Sequence, residues 1–134
     1  MIYSQFDVVI VPFPFTEKDA SKRRPALVLS GKSEFNEAAG HSVMAMITTA
    51  SHSSWPLDIR LSDLESTGLK VASIVRMKLF TIDHTLIRER IGSLGTNDQV
   101  SVRAALSQLL RLALTVKQES VKEISEERAG TSET

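Results

Sequence analysis

The chain has 134 residues, with 16 Lys and Arg against 16 Asp and Glu, and 42% of its residues are apolar. This composition is typical of one folded domain and argues against a two-domain enzyme with separate cofactor and substrate halves. The net charge of zero excludes a broadly basic protein that coats nucleic acid, and the absence of cysteine excludes disulfides, thiolate nucleophiles and cysteine-based metal sites.

The first two thirds of the sequence have the pattern of a small all-β barrel or sandwich. Short runs rich in Val, Ile and Phe alternate with Pro, Gly, Ser and Asn roughly every ten to fifteen residues. The predicted strands are Phe6 to Pro12, Pro25 to Ser30, Val43 to Thr49, Leu57 to Leu61, Ser73 to Arg76 continuing through Leu79 to Ile82, and Ile91 to Leu94. Helical turns are predicted at Lys32 to Ala39 and at Ser62 to Thr67, with Ser62 as the N-cap.

The hydrophobic period changes after Gly95, where Thr96 and Gln99 have the spacing of a capping box. An amphipathic helix of about twenty residues is predicted from the apolar positions Val102, Leu106, Leu109, Leu110, Ala113 and Val116. We expect one domain over residues 1–116 and a polar, helical or disordered tail over 117–134. The tail carries three cations and five anions, which leaves 13 cations and 11 anions to the domain.

The first candidate site is the run Lys22, Arg23 and Arg24 before Pro25. Proline favours an extended conformation at the preceding residue, so the Arg24 guanidinium is held at a stiff strand edge. A permanently charged, bidentate fork suits phosphate recognition. The alternative is a solvated turn with no ligand.

A second candidate is the strand end at Thr48 and Thr49, followed by Ser51. Hydroxyl groups at a strand terminus can donate to phosphate oxygens. The alternative is that Thr is a good strand residue and Ser a good loop residue. The nearby His52 is either a possible base or a surface histidine.

Further candidates are Arg76 and Lys78, which are two positions apart in an extended segment and therefore on one face of it. They make a second phosphate contact if that face borders a groove, and lie on the solvent side of the sheet otherwise. Trp55, the only tryptophan, either stacks on an unpaired base or covers the end of the barrel.

No metal or cofactor is expected. The three histidines, His41, His52 and His84, lie on separate predicted elements, and the sequence has neither a phosphate-binding loop nor a dinucleotide-binding glycine pattern. No run of 18 apolar residues predicts a membrane span, and the first residues do not have the pattern of a signal peptide. We therefore expect a soluble, cytoplasmic protein without a membrane partner.

Taken together, the order and spacing of several segments resemble the MazF/PemK-type toxins of bacterial toxin-antitoxin modules. The resemblance spans about residues 6 to 115 and includes an acidic residue followed by apolar residues at Asp7 to Thr16, the Arg24-Pro25 strand opening, Ile47 to Thr49, Ser73 to Arg76, and Leu79 to Asp83.

The resemblance implies a mainly β fold with a C-terminal helix, an SH3-like small barrel, and metal-independent cleavage of single-stranded RNA. Such an mRNA interferase uses the 2′-hydroxyl as nucleophile and leaves a 2′,3′-cyclic phosphate and a 5′-hydroxyl. By the same resemblance Arg24 is a principal catalytic residue, Thr48 supports it, and Arg76 matches a further arginine. Some members have an acidic residue in the first loop, and the nearest by spacing here is Asp19, with Glu17 as a neighbour. Some also have a carboxylate just after the arginine that Arg76 matches, where this sequence has Met77 and Lys78.

The partners implied are single-stranded RNA, a second copy of the chain and a cognate antitoxin. An acidic, disordered antitoxin segment is expected to cover the cations Lys22, Arg23, Arg24, Arg76 and Lys78. Two alternatives remain open at this point: a CcdB-type toxin that binds gyrase without catalysis, and an inactive scaffold of the same fold.

Overall fold

The computed structural model describes residues 2–13, 22–51 and 54–111. Its strands are β1 (Asp7–Phe13), β2 (Lys22–Val28), β3 (His41–Thr49), β4 (Ile59–Arg60), β5 (Ser73–Asp83) and β6 (Glu89–Ser93). Its helices are α1 (Glu37–Ala39), α2 (Leu64–Thr67) and α3 (Thr96–Leu109), with a π-helical turn at Lys32–Asn36 and a 3₁₀ turn at His84–Leu86. Within these described ranges no helix has the length and apolar character needed to cross a membrane.

All six strands form one antiparallel sheet in the order β4-β5-β3-β2-β1-β6. The sheet curls into a half-barrel that is followed by a C-terminal helix, which confirms the mainly β prediction. The predicted strands are all present, with ends that differ by up to three residues. The largest change is at the strand predicted from Pro25 to Ser30, which begins three residues earlier, at Lys22, and ends at Val28. Of the strand predicted at Leu57 to Leu61, only Ile59–Arg60 pairs. Sequence pattern gave the strands but not the order in which they pair.

The sheet has hydrophobic packing on both faces. A helix-side cluster joins Val8, Leu27, Ile47 and Val75 to Val102 of α3. An opposite-face cluster contains Val9, Val11, Ala26, Val28, Met44 and Ile82, with Tyr3 and Ile87 packed among them. Because neighbouring residues of a strand point to opposite faces, each central strand contributes to both clusters.

The pairing of β3 with β5 contains an irregularity that matters for the site. Ala45 pairs with Leu79, but the next residue, Met46, pairs with Arg76, so Met77 and Lys78 lie outside the regular register. Met77 is buried in the helix-side cluster, whereas Lys78 is exposed. A bulge of this kind bends the strand and redirects side chains, which a simple alternation rule does not predict.

Two predicted helix caps are wrong. The N-cap of α3 is Gly95 rather than a member of the Thr96/Gln99 capping box, and Gln99 instead donates from Nε2 to the carbonyl oxygen of Leu94 (2.8 Å). The N-cap of α2 is Asp63, whose carboxylate accepts from Ser66 N (3.1 Å), and not its neighbour Ser62.

The C-terminal helix is also shorter than predicted. It has 14 residues and ends at Leu109, not about twenty. Of its apolar residues only Val102 and Ala105 are buried, while Leu109 and the following Leu110 are exposed. Ala113, Val116 and the predicted tail over 117–134 lie outside the described residues.

The first turn of α3 fixes this helix to the loop before α2 through Asp98, which is 3% exposed. Its carboxylate accepts from Ser62 N (3.0 and 3.1 Å), Ser62 Oγ (2.8 Å) and Asp63 N (3.0 Å). One buried carboxylate thus binds two backbone N–H groups and a hydroxyl that would otherwise need water.

We expect Asp98→Ala to lower the free energy of unfolding by about 2–3 kcal/mol, because the Ser62 and Asp63 donors lose their acceptor. Urea unfolding followed by circular dichroism measures this change. Asn97→Ala, at the neighbouring exposed position, is the matched control and should change the free energy by less than about 0.5 kcal/mol. Equal effects of the two substitutions would contradict the role given to Asp98.

Candidate functional site: a cavity where two central strands separate

The site begins where β2 and β3 stop pairing. Their pairing ends at Ala26 and Met46. The residue that precedes Ala26 in β2 is Pro25, which has no N–H to donate to a neighbouring strand. On its other side β2 stays paired with β1 as far as Lys22. The two strands therefore separate beyond Ala26 while β2 remains anchored.

Arg24 and Thr48 face each other across this separation. Arg24 lies two positions before Ala26, and Thr48 lies two positions after its partner Met46, so both side chains lie on the same face of the sheet as that pair. Arg76 pairs directly with Met46 from β5 and lies on the same face. The structure thus places the three predicted catalytic side chains on one side of three adjacent strands.

Arg24 and Thr48 line a single cavity of about 170 Å³. Its other lining residues are Pro25, Ile47, Thr49, Leu69, Val71 and Ser73. One guanidinium and several hydroxyl groups are therefore set in largely apolar walls. Charge interactions are stronger in such a setting than in open water.

The Arg24 guanidinium is positioned by an aromatic ring. Its Cζ lies 5.0 Å from the centroid of the Phe13 ring, a cation–π distance. Its Nε is buried and has no hydrogen-bond partner among the described residues. A buried donor of this kind is costly unless something supplies an acceptor, so an anionic ligand oxygen fits this position.

Arg76 is bound by a carboxylate that sequence reasoning missed. Asp58 accepts from Arg76 Nε (3.1 Å) and Nη2 (2.9 Å), and the two side chains are only 14% and 10% exposed, respectively. The Arg76 hydrogen bond holds the pKa of the Asp58 carboxyl below its usual value, against the opposing effect of burial. The same bond raises the pKa of Arg76. Much of the Arg76 charge is thus compensated within the protein.

The remaining predicted residues lie around this face. Lys22 and Arg23 are exposed at the start of β2, and Thr49 Oγ1 lies 3.1 Å from Ser51 Oγ. The Lys78 ammonium lies 4.5 Å from the centroid of the Trp55 ring, so these two predicted residues contact each other. Asp19 and His52 lie outside the described residues. Among the described side chains, no three of His, Cys, Asp or Glu come together as a possible metal site.

Two residues of the site, Phe13 and Asp58, were not singled out by the sequence. Phe13 lies in an ordinary apolar run, and Asp58 follows Pro56 and Leu57 in a polar loop. The only signal for Phe13 in the sequence is weak: it is an aromatic residue directly after the first predicted strand. Nothing local signals Asp58, because its partner lies 18 positions away in the sequence.

Several solved structures share this fold. MazF from Deinococcus radiodurans has 22% sequence identity and a TM-score of 0.65, covering 84% of this chain and 99% of that one. A MazE-MazF complex from the same organism has 20% identity and a TM-score of 0.64, covering 82% and 96%. An endoribonuclease in complex with its cognate antitoxin, from Mycobacterial species, has 15% identity and a TM-score of 0.66, also covering 82% and 96%. At these identities the likeness establishes the fold.

A family match extends the comparison to the sequence. No curated protein matches the chain, but the model of PemK-like, MazF-like toxins of type II toxin-antitoxin systems matches residues 4–110. Neither this match nor the three structures support the alternative of a gyrase-binding toxin. The matched region includes every strand of the sheet and the whole of α3, so the chain belongs to the PemK-like, MazF-like toxin family of type II toxin-antitoxin systems.

Proposed function

We propose that the protein is the endoribonuclease toxin of its module and cleaves single-stranded mRNA in the cytoplasm without a metal ion. The observation that carries the proposal is the Arg24 guanidinium, whose buried Nε–H has no acceptor among the described residues and whose cavity also contains Thr48. A phosphodiester supplies the missing acceptor and brings negative charge to the one cation that lines the cavity.

The proposed reaction is an in-line transesterification. The ribose 2′-oxygen forms a bond to the adjacent phosphorus as it loses its proton to a base or to water. The bond from phosphorus to the 5′-oxygen of the next nucleotide breaks, and that oxygen takes up a proton. The products are a 2′,3′-cyclic phosphate and a 5′-hydroxyl end. Charge develops on the phosphorane oxygens, and fixed donors aimed there lower the barrier.

Arg24 is assigned the electrostatic role. An arginine has too high a pKa to serve readily as a base, whereas its fork matches two phosphate oxygens. Thr48 adds a hydroxyl donor from the other wall of the cavity. Arg76 acts beside them, with Asp58 fixing its orientation.

The RNA on either side of the scissile phosphate is assigned to the surrounding polar residues. Lys22 and Arg23 extend the cationic edge of β2, and Thr49 with Ser51 provides hydroxyl groups at the end of β3. Trp55 and Lys78 provide an aromatic ring with a cation over it. Asp19 and His52 complete the predicted RNA-binding set.

Arg24→Ala should reduce the rate of RNA cleavage by about 100- to 1000-fold, the usual cost of removing one donor that stabilises a developing oxyanion. Arg24→Lys should retain part of the rate because it keeps the charge but loses the fork. The measurement is cleavage of a fluorescently labelled single-stranded RNA by purified protein in EDTA.

Arg103→Ala is the matched control for this substitution. Its guanidinium also lies over a phenylalanine ring, 4.9 Å from the centroid of Phe6, but α3 carries it on the helix side of the sheet. The control should cleave at the wild-type rate. Cleavage that survives Arg24→Ala, or that is lost equally in both variants, would contradict the assignment.

The antitoxin is proposed to bind the same face as the RNA. Of the similar structures, one is a MazE-MazF complex and another is an endoribonuclease in complex with its cognate antitoxin. An acidic, disordered segment can pair with Lys22, Arg23 and Lys78, which are exposed here. We also propose that the toxin is a homodimer, because a second copy lengthens the cationic track available to RNA.

Charge reversal at Lys22 and Arg23 together should weaken the complex with the co-expressed antitoxin at least tenfold and reduce the salt dependence of its affinity. Titration calorimetry at two salt concentrations measures both effects, and light scattering on the same samples reports the dimer. Lys32→Glu, at an exposed turn away from the cavity, should leave the affinity unchanged. An affinity that responds to Lys32 as strongly as to Lys22 and Arg23 would argue against this binding face.

A further inference from the structure

Residues 55–58, just before β4, form a turn (the Trp55 turn) that is closed by two hydrogen bonds between its first and last residues. The Trp55 N–H donates to Asp58 Oδ2 (2.9 Å), and the Asp58 N–H donates to the Trp55 carbonyl oxygen (3.2 Å). The same carboxylate accepts two hydrogen bonds from Arg76. Asp58 therefore joins the backbone of the Trp55 turn to a side chain of β5.

This connection is shielded from water. Both side chains of the Asp58–Arg76 pair are mostly buried, and the pair is bidentate, which distinguishes it from a mobile surface ion pair. Arg76 is itself held in the sheet by its pairing with Met46. The position of the turn is thus set by the central sheet.

The turn also contains a strained backbone position. Leu57 has φ +66°, in the left-handed region that branched side chains rarely adopt. Its side chain packs against the helix-side cluster, and Asp58 closes the turn on the other side. Strain that the surrounding contacts maintain is commonly found where a side chain must be presented in a fixed way.

The side chain presented here is Trp55. It belongs to neither hydrophobic cluster and is 42% exposed, even with the Lys78 ammonium over its ring. The alternative that Trp55 covers the end of the barrel therefore does not describe its surroundings. An exposed aromatic ring beside a cation is the combination that binds a base and its phosphate in single-stranded nucleic acid.

We propose that the Trp55 turn is a base-stacking subsite distinct from the Arg24 cavity, and that Asp58 is its positioning residue. Trp55 stacks on one unpaired base, and Lys78 contacts the phosphate attached to that nucleotide. The subsite adds affinity for a strand that extends beyond the scissile phosphate. It rests on the proposed function in that the ligand of both sites is the same single-stranded RNA.

The test uses the fact that Trp55 is the only tryptophan of the chain. Short 2′-O-methyl oligonucleotides of mixed sequence cannot be cleaved by attack of the 2′-oxygen, so their binding is read without reaction. Wild-type protein should show saturable quenching of tryptophan fluorescence. Lys78→Ala should reduce the slope of log affinity against log salt by about 0.7, the value for one phosphate contact on a single strand.

Asp58→Asn keeps the shape of the side chain and removes its charge. We expect KM for a long RNA to rise about fivefold or more, approaching the roughly tenfold rise expected for Trp55→Ala. The loss in kcat/KM should be greater for the long RNA than for a dinucleotide, which spans only the cavity and depends on Asp58 solely through Arg76. Asp58→Glu should restore part of the loss. Asp63→Asn is the control, because Asp63 also closes a turn, at the N-cap of α2, and it should alter neither constant.

The outcomes separate this subsite from the proposed function. RNA cleavage without fluorescence quenching, or with an unchanged KM in folded Asp58→Asn and Trp55→Ala, overturns the subsite alone. Quenching by the oligonucleotides without any RNA cleavage overturns the proposed function and leaves the subsite supported. An equal loss of kcat/KM for the dinucleotide and for the long RNA would show that Asp58 acts only through Arg76 at the cavity, and would also overturn the proposal. Thermal melts establish that each variant is folded.

Discussion

The site depends on the register of β3, which pairs with β2 on one side and β5 on the other. That register fixes which residues of three strands share a face, and it brings Arg24, Thr48 and Arg76 to one side of the sheet. A slip of one residue would turn each side chain of the shifted strand to the other face. The hydrophobic clusters on both faces resist such a slip, so packing energy maintains the geometry of the polar groups of the site.

Two local departures from regular pairing turn this face into a site. The missing N–H of Pro25 coincides with the place where β2 and β3 separate, and the resulting cavity surrounds the Arg24 guanidinium with largely apolar walls. The irregularity at Met77 and Lys78 frees Lys78 from the ladder and brings it over Trp55. Neutral overall composition is compatible with RNA binding here because a few cations are concentrated at these two places.

Much of this arrangement could be predicted from local sequence. The strands follow from runs of Val, Ile and Phe, and Arg24 and Thr48 stand out because the sequence predicts each of them at a strand end. In the structure β2 begins two residues before Arg24, at Lys22. The Asp58–Arg76 pair could not be predicted, since it depends on how β4 pairs with β5 and no local pattern encodes that register. The capping box at Thr96 was misleading because α3 begins one residue earlier than the box requires. Gly95, in an extended conformation, is the N-cap, and its carbonyl oxygen accepts the first helical hydrogen bond from Gln99 N.

The central claim is that a 2′-hydroxyl, activated within the Arg24 cavity, cuts RNA. Its most direct test is to identify the ends that purified protein produces from a single-stranded RNA in EDTA, and to repeat the reaction with 2′-deoxyribose substituted only at the cleaved nucleotide. The account predicts a 2′,3′-cyclic phosphate, a 5′-hydroxyl, and no cleavage of the substituted strand. A 5′-phosphate end, or equal cleavage of the substituted strand, would contradict it.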